Sequence, residues 1–135
     1  MLRISRSFRV LVGGLTVAAF VLLGAHRPYV SAHALFLWGA PDNGAVVSGA
    51  PSQVDAHFAE DIVRQSGTYG LKVTDSYGNE VDNQDTVIDD NDRRHMTVTL
   101  QQGIGPDTYN VHWWTVSDED GDAASGDYSF TVSGS

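Results

Sequence analysis

Two stretches of this chain carry residues whose types and spacing could grip a cation. The first is His33. If the chain is cut after Ala32, His33 becomes the first residue, and its free α-amine and imidazole form a ready chelate for a metal. The second is Asp118-Glu119-Asp120-Gly121-Asp122, four carboxylates in five residues. A calcium loop of the EF-hand kind needs Gly at its sixth position and Glu at its twelfth. Counted from Asp118, Gly stands fourth and Ser129 twelfth, so an unspecific oxygen-rich loop describes the run better.

The chelate depends on a leader being removed, and residues 1–32 read as one. Arg3, Arg6 and Arg9 make a positive start, an apolar run extends from Val10 to Leu23, and Val30-Ser31-Ala32 supplies small side chains before the cut. Cleavage after Ala34 is the alternative boundary. The run could also be an uncleaved anchor, but its 14 residues, with Gly13 and Gly14 among them, are short for a bilayer span. The expectation is an exported domain, His33 to Ser135, in the periplasm or secreted.

Those 103 residues suit one domain with one core. Four of the eight Lys and Arg residues lie in the leader and all seventeen acidic residues beyond it, so the mature formal charge is −13. That balance excludes nucleic acid and anionic membrane surfaces, which need basic patches. It attracts cations, although for most single carboxylates a solvated surface is sufficient explanation. The chain has no cysteine. Stability must therefore come from the core rather than from disulfides, and thiol-built zinc sites and cysteine nucleophiles are excluded.

The elements that must position these groups read as short strands between turn residues, the pattern of an all-β sandwich. His33 to Trp38 is the first strand, followed by the turn-rich Gly39-Ala40-Pro41-Asp42-Asn43-Gly44. Alternation in residues 54–58 points Val54, Ala56 and Phe58 inward and Asp55 and His57 outward. Further strands are expected at Tyr69 to Asp75, after which Ser76-Tyr77-Gly78-Asn79 turns the chain toward Val81, at Thr97 to Leu100, at Tyr109 to Val116 and at Tyr128 to Val132. Trp113 should face the core and Trp114 the opposite side. The polar segment Asp82 to Arg94, with Asp82, Asp85, Asp89, Asp90 and Asp92, reads as an exposed and mobile connection.

In this order, His33-Ala34, Gly39 to Gly44, His57-Phe58-Ala59-Glu60, Thr108 to Trp113, Val116-Ser117 and Asp120-Gly121-Asp122 ahead of Gly126 and Phe130 resemble the CopC family. These are small exported copper-binding domains. The resemblance covers nearly all of the mature chain and implies a Greek-key, Ig-like β-sandwich of about seven strands with a Cu(II) site at one end. The family's site uses the N-terminal amine and imidazole with an Asp-x-His motif, and a glutamate of the His-Phe-x-Glu segment lies nearby. Carried onto this chain, the metal residues are His33, Asp120, Asp122 and Glu60. Asp122 stands where the family has its second histidine, and counted from Ser117 the loop is one residue longer.

Imidazole is among the better ligands for Cu(II), so a carboxylate at 122 implies weaker and less selective binding, with Zn(II) competing. A sandwich that has kept the fold and lost the metal is the rival expectation, an Ig-like interaction module. A Cu(I) site is not expected, since thioethers select Cu(I) and the mature chain has only Met96. The resemblance implies buffering or carriage of copper in copper homeostasis or resistance. The recipient would be a CopD-like membrane copper transporter on a separate polypeptide.

His57 and His112 are expected to be plain surface histidines, and His95 to be disfavoured as a cation ligand by Arg93-Arg94. No enzymatic role is expected. A Gly-x-Ser-x-Gly nucleophile motif is missing from the sequence. Copper enzymes that cleave polysaccharides also use an N-terminal histidine, but they are usually larger and employ a second one.

Overall fold

Period-two alternation builds most of the strands. The computed structural model describes residues 33–134; the leader and its cleavage site lie outside the described residues. The strands are β1 (Phe36–Ala40), β2 (Val46–Val47), β3 (Gln53–Phe58), β4 (Gly70–Thr74), β5 (Val87–Ile88), β6 (His95–Thr99), β7 (Asp107–Val116) and β8 (Ala123–Val132). They form two four-stranded sheets, ordered β1-β3-β6-β5 and β2-β8-β7-β4. All pairings are antiparallel except β2 with β8, where the chain has crossed from one sheet to the other.

Between the sheets lies one core. Val54, Ala56 and Phe58 enter it from β3, Met96 and Val98 from β6, and Tyr109, Val111 and Trp113 from β7. Phe36 ties β1 to it by stacking on Tyr128 at 4.3 Å and meeting Phe58 edge-on at 6.1 Å. Each such ring pair adds about 0.5–1.5 kcal/mol beyond its buried area. Glycine is required where the two tryptophans of β7 press against neighbouring strands. A Cβ on Gly126 would lie 2.7 Å from the Trp113 ring, and one on Gly70 only 2.1 Å from the Trp114 ring.

The sandwich expected with about seven strands has eight, of which β2 and β5 are two-residue pairings too short to leave a pattern. Two expectations are corrected. β8 starts at Ala123, five residues before the alternating run. Its first half, Ala-Ala-Ser-Gly-Asp, has little strand propensity and is held by one-to-one pairing with β7 from Val116↔Ala123 onward. The segment from Asp82 to Arg94 is largely exposed, as expected, but it is a hydrogen-bonded connection containing β5 rather than a loose one. Asp82 is buried and accepts the Val73 and Gln84 amides at 2.7 and 2.8 Å. Asp85 takes the Thr99 amide at 2.9 Å, and Asp89 caps the turn through the Asn91 and Asp92 amides.

Candidate functional site

His33 is held at one end of the sandwich by the two residues after it. Ala34 is fully buried, and its carbonyl accepts the Thr115 hydroxyl at 2.8 Å inside the core. The Leu35 carbonyl accepts the Ala59 amide at 2.9 Å, just past the end of β3. A small residue is needed at 34 for this seat, and the chain has one.

The facing group comes from the β7–β8 connection. The Ser117 amide donates to the Asp122 carbonyl and the Gly121 amide to the Ser117 carbonyl, both at 2.9 Å, which closes residues 117–122 into a tight loop. Gly121 occupies it with φ 76°, a left-handed conformation that glycine adopts without strain. The Asp120 carboxylate accepts the Asp122 amide at 2.9 Å. This small side-chain turn directs residue 122 back toward the N-terminal arm.

The Asp122 carboxylate then stands 3.8 Å from His33 Nδ1. That ring nitrogen is buried and has no hydrogen-bond partner among the described residues. Leaving a buried polar atom unmet costs about 1–3 kcal/mol. The gap is too wide for a hydrogen bond and fits an ion with bonds of about 2 Å to each donor. Nδ1 is also the ring nitrogen nearer the α-nitrogen of its own residue. The donor chemistry therefore fits a cation such as Cu(II).

Of the four residues expected to hold metal, His33 and Asp122 face one another, and Asp120 shapes the loop between them. Glu60 is buried and accepts the Ser117 hydroxyl at 2.6 Å. Among the described residues, no group of three or more His, Asp or Glu side chains converges closely enough to hold a metal. Thr115 and Ser117, which fix the two halves of the site, drew no notice as functional residues in the sequence. Their signal was positional only: a hydroxyl at a core-facing place on β7 and one just after it.

The other histidines lie on the outer sheet faces. His57 is sandwiched between Trp38, at 3.7 Å and 11°, and His95, at 4.3 Å and 8°. Burial, then the charge of His95, lowers the His57 pKa. His95 Nε2 meets Asp55 at 2.7 Å, and Nδ1 lies 3.8 Å from Asp89. Burial works against ionisation of Asp55, but hydrogen bonds from Gln53, His95 and Thr97 outweigh it and hold the carboxyl below its ordinary range. The surroundings of His95 are thus acidic, contrary to what Arg93-Arg94 suggested; those arginines reach away to Asp118 and Asp61. His112 pairs with Asp127 at 3.1 Å.

A family model described as the CopC domain matches residues 39–133, a span that contains Glu60, Asp120 and Asp122 and begins after His33. The copper transport protein CutJ of Bacillus subtilis (strain 168) is 33% identical over 101 residues, 75% of this chain and 18% of that protein. The chain therefore spans less than a fifth of CutJ. Protein YobA of Escherichia coli (strain K12) is 30% identical over 105 residues, 78% of this chain and 82% of that one. Among solved structures, CopC from Methylosinus trichosporium OB3b superposes with a TM-score of 0.67 at 20% identity, covering 76% of this chain and 95% of that one. PcoC from Escherichia coli, a methionine-rich copper resistance protein, gives 0.63 at 24% identity over 76% of this chain and all of its own. The two structures share the sandwich fold.

Proposed function

This chain belongs to the CopC domain family, and on that premise we propose that it binds copper outside the cytoplasm. The ion is Cu(II), held by the amine and Nδ1 of a processed His33 with the carboxylate of Asp122, while Asp120 serves as loop former or further oxygen donor. The role is buffering or carriage in copper homeostasis or resistance, with transfer to a CopD-like membrane transporter and no chemistry of its own. The observation that carries this reading is the buried His33 Nδ1, without a hydrogen-bond partner among the described residues and 3.8 Å from the Asp122 carboxylate.

Residues 1–32 act in this account as the export leader, whose removal frees the second nitrogen. Native mass spectrometry of the exported protein, with and without added Cu(II), tests both parts together. The expected result is a mass beginning at His33 and a gain of one copper per chain. A retained leader, or no copper on a chain starting at His33, contradicts it.

A second reading, a metal-free interaction module, is favoured by the convergence of only two side-chain donors among the described residues. Copper binding no tighter than that of the His33→Ala variant would support this reading instead.

A further inference from the structure

Residues Ala59–Ile62 touch both halves of the candidate site. The Ala59 amide holds the Leu35 carbonyl of the N-terminal arm at 2.9 Å. Beyond it, Ile62 pairs with Ser117 in an isolated antiparallel bridge, and the Asp118 amide donates to the Asp61 carbonyl at 2.9 Å. Between these two attachments stands Glu60, buried, with Oε2 accepting the Ser117 hydroxyl at 2.6 Å. The same Ser117 oxygen accepts the Glu119 amide at 3.2 Å, and Ser117 is itself fully buried. Arg93 adds a further tie, reaching Asp118 at 2.9 Å and the Ile62 carbonyl at 3.1 Å.

We propose that Glu60 is a positioning residue: acting through Ser117, it fixes the 117–122 loop so that Asp122 meets His33, and it does not itself hold the ion. The proposal rests on the copper reading above for its consequence, but its structural half stands without metal. A carboxylate accepting a hydroxyl at this distance makes a charge-assisted hydrogen bond, about twice as strong as a neutral one. Burial of both partners denies them water as a substitute, so losing either leaves the other unsatisfied. Ser117 passes the constraint on, since its backbone amide and carbonyl hold Asp122 and Gly121. Glutamine at 60 keeps an oxygen to accept the hydroxyl, whereas alanine keeps none.

The test uses the chain from His33 to Ser135 as wild type, Glu60→Gln, Glu60→Ala and Ser117→Ala. Amide hydrogen exchange is read without metal at Gly121 and Asp122, whose acceptors are untouched by these changes. Both amides are expected to exchange more than about tenfold faster in the two alanine variants, stay near wild type in Glu60→Gln, and leave the core amide of Val111 protected. The Cu(II) electron paramagnetic resonance spectrum of Glu60→Gln is expected to keep the wild-type shape. Wild-type exchange at Gly121 and Asp122 in both alanine variants overturns the proposal. So does an altered copper spectrum in Glu60→Gln with unchanged exchange, which would make Glu60 a ligand. If the alanine variants do not fold, the Glu60→Gln spectrum decides. Should wild type bind no copper, the function proposed above fails while exchange still judges the clamp.

Discussion

His33 Nδ1 and the Asp122 carboxylate face each other across 3.8 Å, and the identity of residue 122 sets what that gap can hold. Imidazole suits Cu(II) better than carboxylate does. Asp122→His is expected to raise Cu(II) affinity about tenfold or more, by about 1.4 kcal/mol or more, and to widen the preference over Zn(II). Asp122→Ala is expected to lower it by a similar factor. Competition titrations with both metals check this, and an unchanged Cu(II) affinity in Asp122→His would remove residue 122 from the ligand set. The residue types of this candidate site were legible in the sequence; the directions of their side chains were not. Asp120 and Asp122 look equivalent there, but the first accepts a backbone amide and only the second faces His33. Glu60 likewise looks like one more oxygen donor until its partner, Ser117, is placed in space.

Among elements, the outer face of β3 carries a pH dependence. Burial, and then the neighbouring His95 charge, holds His57 below its ordinary value of 6.5. As pH falls, the unfolded chain takes up this proton before the folded one does. The resulting stability is complete above about pH 6.5 and fades as pH drops toward the lower folded value. Melting temperature should therefore fall less between about pH 7.5 and about pH 5.5 in His57→Gln than in wild type; equal falls would contradict this. On the other sheet, Gly70→Ala is expected to destabilise by about 1–3 kcal/mol, because the Trp114 ring occupies the space a Cβ would take. A denaturation midpoint equal to wild type would show that the ring moves aside without cost. Strands with strict alternation, such as β3 and the core of β7, were readable from their residues. β5 and the first half of β8 exist through pairing with neighbours, which no local pattern records. The aspartates near β5 looked like a solvated run because their hydrogen-bond partners, the amides of Val73, Thr99 and Asn91, lie on other segments or in the turn itself.

For the whole molecule, acidity and architecture work together. Seventeen carboxylates against four Lys and Arg residues from His33 onward draw cations toward the surface, and all four, Arg64, Lys72, Arg93 and Arg94, are paired with acids: Asp90, Glu80, Asp118 and Asp61. Exposed pairs of this kind contribute at most about 1 kcal/mol each, so the sandwich core rather than its surface holds the loop and the N-terminal arm in place. The architecture was legible from strand rhythm and family resemblance; the contact between the two ends of the site depends on buried hydroxyls at Thr115 and Ser117. The most direct test compares Cu(II) affinity of the chain starting at His33 with that of the same chain carrying one extra residue before it. The extra residue converts the amine into an amide, so affinity is expected to fall by more than about tenfold, or about 1.4 kcal/mol. Equal affinities for the two chains would contradict the account.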